Sequence, residues 1–465
     1  MEKKIKTRPP IVTVLGHVNH GKTTLLDAIR KTRIAFKEAG GITQNIGASQ
    51  VTTKEGKKIT FIDTPGHAAF SQMRSRGARV ADIAILVIAA DDGVKPQTKE
   101  SIVQINEAKI PFIVAITKVD LATANVEAVL GQLEKEGILL EKRGGNTPWI
   151  ELSAKTGKGI GALLELISLM AEMNAIKGDP EDSLEAVVIE TSKDKGGPVV
   201  NAVIRNGQIM VGQNLYTETG QTKVRCLISS KGMTKVALPG DAVQILGFEI
   251  LPEVGAKIFS TVMDKAQTKN LEKEHRKIEE GQVGLLIKAK NSGCLEAILA
   301  NMPSEVFVVD SGVGDVYESD VLLAKASGVS RIFAFESKAP SAVRKLAEAE
   351  GVNIKTFKVI YELFQEIDDI IKKGKTEILG KAEIIALFPF NDKKIAGCRV
   401  VSGKINKSDN LVLMRKDMEL GKIKAISLQK QKQIINQAGQ GEEFGILFEP
   451  QFDFVKGDMV VSVAK

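Results

Sequence analysis

Gly16-His17-Val18-Asn19-His20-Gly21-Lys22-Thr23-Thr24 has the spacing G-x-x-x-x-G-K-S/T, a pattern suited to holding a polyphosphate. Glycines let backbone amides close round the phosphates, a lysine ammonium reaches the β and γ oxygens, and a threonine hydroxyl takes a place on magnesium. Lys22 and Thr23 fill those two positions. Asp63-Thr64-Pro65-Gly66-His67 adds a carboxylate for the same cation, and a glycine whose amide can approach a γ-phosphate and sense its presence. Thr117-Lys118-Val119-Asp120 places a carboxylate where it can accept from guanine N1–H and from the exocyclic amine, a pair adenine does not offer. Ser153-Ala154-Lys155 stands where a backbone amide would meet guanine O6. Together these groups would serve phosphoryl transfer from a guanine nucleotide, which needs charge neutralisation and one group that positions water. His67 suits that last task, because an imidazole donates or accepts near neutral pH.

Each of these groups sits at the end of an apolar run. Ile11-Val12-Thr13-Val14-Leu15 leads into the phosphate loop and Leu25-Leu26-Asp27-Ala28-Ile29 follows it, giving strand, loop and helix in the required order. Lys58–Ile62 ends at Asp63, Ile83–Ile88 at Ala89-Ala90-Asp91-Asp92-Gly93, Ile110–Ile116 at Thr117, and Trp149–Leu152 at Ser153. With helices expected over Ala122–Glu136 and Gly159–Met173, the alternation predicts a mostly parallel α/β domain over residues 9–176, its site at the strand ends. His17 and His20 lie in the loop too, either touching nucleotide or supporting loop shape.

After residue 173 the texture changes to short alternating strands with glycine turns, which predicts a β-barrel over 182–263. Residues 264–281 are charged and helix-prone, a linker. Strand-helix alternation returns over 282–358 (Val283–Ala289, Cys294–Ala300, Val306–Asp310, Glu318–Ala326, Ile332–Phe335, Ser341–Glu350) and predicts a small α/β/α layer domain. Ser311-Gly312-Val313-Gly314-Asp315 lacks the lysine of a second phosphate loop and reads as a β-to-α turn. Ile360, Leu363, Phe364, Ile367, Ile370 and Ile371 share one face of a helix over Val359–Lys373, a connector within 359–375. A second β-barrel is expected over 376–465. Its Arg399-Val400-Val401-Ser402-Gly403-Lys404-Ile405 echoes Val203-Ile204-Arg205-Asn206-Gly207-Gln208-Ile209, and Gly445-Ile446-Leu447-Phe448-Glu449 echoes Ile245-Leu246-Gly247-Phe248-Glu249, so the barrels read as related. The fold class is therefore multidomain α/β and β: a P-loop GTPase domain, a barrel, a layer domain, a connector helix and a second barrel.

Composition agrees with that plan. The 465 residues, 43% of them hydrophobic, suffice for several cores. No apolar run reaches the roughly eighteen residues of a membrane span, and the basic tail over residues 1–8 is not followed by an apolar signal region, so a cytoplasmic protein without a membrane partner is expected. Cys226, Cys294 and Cys398 lie far apart, which suggests neither a disulfide framework nor a zinc ribbon. A net charge of +7 favours a polyanionic partner such as RNA.

Gly16–Thr23, Glu38-Ala39-Gly40-Gly41-Ile42-Thr43-Gln44, Asp63–Phe70 and Ala89-Ala90-Asp91-Asp92-Gly93-Val94 resemble the motifs of translational GTPases, and more narrowly those of bacterial translation initiation factor 2, over nearly the whole chain. The resemblance implies GTP or GDP and Mg2+ as cofactors. Nucleotide contacts would run over residues 16–24 (Gly16, His17, Val18, Asn19, His20, Gly21, Lys22, Thr23, Thr24), Asp63, Thr64, Pro65, Gly66, Thr117, Lys118, Val119, Asp120, Ser153, Ala154 and Lys155. It places Thr43 with Thr23 on the metal, and Asp63 there through water. His67 would orient the attacking water once the large ribosomal subunit pulls it inward, Val18 and Ile42 forming an apolar gate that otherwise holds it back. In the last barrel Cys398, Lys430, Lys432, Glu443 and Gly445 stand where the family grips the acceptor end of initiator tRNA and its formylmethionine. The chain begins almost at the GTPase domain, so the contacts of the long extension found in front of many bacterial members are expected to be missing, and the charged linker is shorter than usual.

Six positions depart from the family pattern. Asn19 replaces an aspartate, so a monovalent cation near Asn19 would be held differently; Thr117 replaces an asparagine, which predicts weaker guanine affinity with selectivity kept by Asp120. Gln429-Lys430-Gln431-Lys432 replaces a Lys-Arg-Tyr-Lys run and Phe444 a cysteine, which predicts weaker tRNA binding or an altered demand for the formyl group. The function implied is a ribosome-stimulated GTP phosphohydrolase acting in initiation. It would position initiator tRNA on the small ribosomal subunit, promote joining of the large subunit and work beside other initiation factors. The alternatives are a ribosome-binding GTPase switch without tRNA cargo and an elongation-type tRNA-delivery factor; the layer domain and connector argue against the second.

Overall fold

Apolar runs without polar alternation belong in a parallel sheet covered on both faces, and the first third of the chain builds one. The computed structural model describes residues 6–32, 43–194, 196–261, 282–374, 378–390, 393–415, 418–431 and 433–463. Ile42, Lys432, residues 1–5 of the basic tail and the whole linker at 264–281 lie outside them. The chain falls into two units, residues 1–365 and 366–465.

In the first unit the elements are β1 (Ile11–Gly16), α1 (Lys22–Arg30), β2 (Gly47–Thr52), β3 (Lys58–Asp63), α2 (Ser71–Val80), β4 (Ile83–Ala89), α3 (Pro96–Ala108), β5 (Phe112–Thr117), α4 (Val126–Lys135), β6 (Trp149–Glu151) and α5 (Ile160–Met173). The sheet order is β2-β3-β1-β4-β5-β6, with only β2 antiparallel. Every residue of β1 and β4 is buried. One face packs Val12, Val14 and Val87 against Leu25, Leu163 and Ile167, and the other packs Leu15, Leu86 and Ile88 against Ile102, Ile105 and Leu130. Such two-sided burial fixes the strand ends, and with them the loops that follow.

Three elements carry weak sequence signals: β2 is a polar edge strand, α2 holds three arginines, and α3 opens on Pro96 at its first turn. The helix expected over Ala122–Glu136 begins only at Val126, because the Asn125 side chain accepts from Ala128 N (3.0 Å) and caps it there. The strand expected from Ile110 begins at Phe112, after Pro111, which has no amide to give.

A six-stranded antiparallel sheet with two small ribbons follows, its core formed by Leu184, Val188, Val200, Ile204, Leu227, Ile245 and Ile258. The layer region has four parallel strands, Val283–Ala289 lying between Val306–Val313 and Arg331–Phe335, with Asn353–Phe357 at the edge. Its helices are α6 (Ser292–Ala300), α7 (Glu318–Ala326) and α8 (Ser341–Glu350). Ser311–Val313, expected in a turn, prolongs a strand instead, and the chain turns out of it only at Gly314, with φ 111°. Helix α9 (Ile360–Gly374) buries Ile360, Leu363 and Ile367.

The second unit is a barrel in which the hairpin of Ile378–Phe390 and Lys393–Asn406 also closes the sheet. Its counterpart in the first unit is the hairpin of Glu185–Asp194 and Gly197–Asn206. In each, the second strand meets one of the echoed segments, Ala242–Leu246 or Glu443–Glu449. Gly207 and Gly403 occupy equivalent places with φ 69° and 67°. A Cβ on Gly207 would come 2.6 Å from Leu184 Cα, and one on Gly403 would come 2.1 Å from Leu379 O. The same backbone demand, left-handed and crowded, explains the matching glycine. Gly403→Ala is expected to cost about 1–3 kcal/mol of stability, read as a lowered urea midpoint; an unchanged midpoint would contradict the clash.

Candidate nucleotide site

The ends of β1, β3 and β5, the loop after β6 and the segment at Thr43 converge on one cavity of about 380 Å³. Val18, Asn19, Gly21, Lys22, Thr23, Thr24, Thr43, Gly66, His67, Thr117, Lys118, Asp120, Leu121, Ala154 and Lys155 line it. Gly16, His17, His20, Asp63, Thr64, Pro65, Val119 and Ser153 lie outside that lining. Thr64 ties β3 to β1 by donating to Val14 O (2.7 Å). His20 is fully buried, its Nε2 3.3 Å from Asp92 Oδ2 and its Nδ1 3.4 Å from Val87 O, so its ring shapes the loop; burial pushes it down to about 4 and keeps it neutral. The His17 ring meets His20 edge-on at 5.0 Å.

Backbone geometry makes the cradle. Gly16 and Gly21 have φ 142° and 86°, and Asn19 adopts φ 63°, a conformation asparagine tolerates better than most residues. A Cβ on Gly66 would lie 2.5 Å from Lys22 Nζ, so only glycine lets that turn approach the ammonium. Lys22 is 6% exposed and donates to Gly16 O (3.0 Å) and His17 O (2.6 Å). Desolvation lowers it to about 8, against the pull of Asp63. A buried cation whose bonded partners are neutral carbonyls suits an added anion. Thr23 Oγ1 and Thr43 Oγ1 stand 2.6 Å apart, and Asp63 is buried at the end of β3. These are hard oxygen donors of the kind that hold Mg2+.

Asp120 is held below the usual carboxylate range, first by the hydrogen bond from Ser153 and then by its own backbone amide and Lys155, against slight desolvation; it stays an acceptor. Thr117 donates to His20 O (2.6 Å), with a longer contact to Ile88 O (3.4 Å). Its single proton is spent on the phosphate loop and none remains for a base. His67 accepts from Ala69 N through Nδ1 (3.0 Å), which caps the short turn Ala68–Phe70. Burial, then the Arg74 charge, lowers its pKa, so near pH 7 the ring is neutral with its proton on Nε2.

One family model, described as the Elongation factor Tu GTP binding domain, matches residues 7–173. A second, described as Translation-initiation factor 2, matches residues 260–368. Translation initiation factor IF-2 of Caldanaerobacter subterraneus subsp. tengcongensis is 40% identical over 496 residues, spanning 99% of this chain and 70% of that protein. That of Thermus thermophilus is 39% identical over 498 residues, spanning 98% and 87%. The chain belongs to the translation initiation factor 2 family. Among solved structures, GDP-bound aIF5B from Aeropyrum pernix is 27% identical, covering 99% of this chain and 92% of that one, with a TM-score of 0.46. As a member of the family the chain is a translation initiation GTPase that binds guanine nucleotide. No helix among the described residues is long and apolar enough to cross a membrane.

The final barrel holds a cavity of about 430 Å³ lined by Cys398, Lys430, Glu443 and Gly445 together with Phe388, Gln429, Gln431 and Phe444. Lys430 pairs with Glu442 (2.6 Å) and Glu443 with Arg399 (2.5 Å), both exposed pairs that a polyanion could open at little cost. Cys398 donates to Ala396 O and burial pushes its thiol up to about 12, so it acts as a small apolar wall.

Several supporting residues have no motif. Gln97 of α3 accepts from Val18 N (2.9 Å) and steadies the phosphate loop, and Leu121 joins the cavity wall. Arg74, fully buried on α2, donates to Pro65 O (3.2 Å) and His67 O (2.5 Å) and forks onto Glu100. An arginine on the inner face of a helix was the one available signal.

Two outcomes follow from this geometry. Thr117→Val leaves His20 O without its donor, and the loss of about 0.5–1.5 kcal/mol should weaken GDP binding roughly two- to tenfold in titration calorimetry; parental affinity would contradict it. Phosphate beside Lys22 raises a pKa that stands near 8 in the free protein. GDP binding at pH 8.5 should therefore take up a proton, and at pH 7, where Lys22 is already charged, it should not. The calorimetric enthalpy should vary with buffer ionisation enthalpy only at the higher pH.

Proposed function

We propose that this GTPase positions initiator tRNA on the small ribosomal subunit, promotes joining of the large subunit and hydrolyses GTP when that contact is made. The single observation that carries the reading is the gathering of the phosphate loop, Thr43, Gly66-His67, Thr117–Asp120 and Ala154-Lys155 round one cavity. Thr23, Thr43 and Asp63 are the groups that would hold Mg2+, which supplies charge neutralisation to the phosphates. Lys22 neutralises the phosphate oxygens, Asp120 selects guanine, and Gly66 gives the γ-phosphate a backbone amide. His67, neutral with Nε2–H, donates to the attacking water and orients it. The water attacks phosphorus while the bond to the β-phosphate oxygen breaks, giving GDP and inorganic phosphate.

The cavity beside Cys398, Lys430, Glu443 and Gly445 supports an aminoacyl end as cargo. Gln431 brings no ring where the family pattern has a tyrosine, which supports weaker binding than in family members that keep it, and leaves exposed Phe388 as the ring available for stacking.

His67→Ala should keep GTP affinity yet lose at least tenfold of the hydrolysis stimulated by both ribosomal subunits, measured in single-turnover assays. In the same preparation, the parent protein should slow ester hydrolysis of initiator aminoacyl-tRNA. Protection of neither the formylated nor the unformylated ester would replace the cargo reading with a GTPase switch that carries no tRNA.

A further inference from the structure

The first turn of α9 meets both loops that frame the nucleotide cavity. Gln44, next to Thr43, donates from Nε2 to Lys358 O (2.8 Å), and its Oε1 accepts from Ile360 N (3.1 Å). The amides that open a helix have no partner within it, so a side chain from the nucleotide domain supplies one. Tyr361, the next residue, stands edge-on to His67 with centroids 4.3 Å apart and planes at 89°. Tyr361 is 48% exposed, so burial in a core does not explain its place. Glu336 anchors the same junction: its carboxylate accepts from Gln44 Nε2 (3.3 Å) and Asn45 Nδ2 (3.0 Å), and its backbone holds φ 50°, a strained value for glutamate.

We propose that Tyr361 is a positioning residue for His67: with the first turn of α9 docked on Gln44, it holds the imidazole against the layer domain and keeps GTP hydrolysis slow in the free protein. This rests on His67 being the water-orienting group. The ring is held by Ala69 N–H at Nδ1, by Tyr361 on its flank at 4.3 Å and, farther off, by Phe70 edge-on at 6.1 Å. Swinging toward a γ-phosphate requires leaving Tyr361. Because Gln44 follows the threonine that faces Thr23, a shift of Thr43 also pulls on the turn that carries Tyr361.

The test is single-turnover GTP hydrolysis by the full chain without ribosomes, with GTP affinity measured alongside. Tyr361→Ala should raise the basal rate about two- to tenfold, the range for losing one edge-on aromatic pair, with affinity unchanged. Tyr361→Phe keeps the ring and should match the parent. Tyr361→Ala combined with His67→Ala should fall to the rate of His67→Ala alone. In nitrogen-15 spectra the His67 titration midpoint should move up in Tyr361→Ala, toward the ordinary imidazole value, as cover is lost. A Tyr361→Ala rate at or below the parent's, or an acceleration that survives in the double variant, overturns the role of Tyr361. If His67→Ala alone keeps full turnover, the proposal falls together with the reading of His67, a result separable from the first.

Discussion

The ammonium of Lys22 is out of water before any nucleotide arrives, and much of the first domain is arranged round that fact. Burying a cation costs several kcal/mol unless oxygens surround it, and here the carbonyls of Gly16 and His17 supply them, with Asp63 at longer range. Those carbonyls can point inward only because Gly16 and Gly21 adopt conformations other residues avoid. The loop in turn needs rigid ends, which β1 and α1 provide by burying Val12, Val14, Leu25 and Leu26. Charge, backbone and core thus form one dependent series. Gly66 extends it across the cavity, since its missing side chain is the space in which the ammonium lies.

The loops that read the phosphate are not independent of the rest of the first unit. Gln44 and Asn45 bond to Lys358, Ile360, Glu336 and Asn291, and Cys294 Sγ donates to Gln44 O (3.5 Å). Nearby, Glu190 of the barrel accepts from Gly293 N (3.1 Å) at the start of α6, and burial raises its carboxyl to about 7. Barrel, layer region and nucleotide domain therefore meet through polar groups, beside apolar packing such as that of buried Met73 on Gly293.

Much of this was legible in the residues. The phosphate loop, Asp63, Gly66, His67 and Asp120 each follow a strongly apolar strand, so their convergence could be argued from strand ends alone, and α7 and α8 carry clear helical periodicity. The fold class followed from that alternation and from the change of texture after residue 173. Illegible were the supports that depend on packing across long separations. Gln97, Arg74 and Tyr361 are ordinary polar or aromatic residues on helices, and their partners lie 79, 7 and 294 positions away, beyond any local pattern for two of the three. Thr117 in an asparagine's place suggests a weakened base contact, whereas its hydroxyl turns to the phosphate loop. The helix-prone linker and Ile42 fall outside the described residues, and their expectations stand as such.

Gly207 and Gly403 make the same turn in two barrels. A scaffold whose closure depends on a backbone conformation places little demand on the side chains at its rim. Gln429 and Gln431 can therefore change in a lineage without loss of the barrel itself, whereas Phe444 belongs to its core. The chemistry of that cavity can be rewritten by substitution at the rim, while inheritance of the fold rests on a glycine outside its lining.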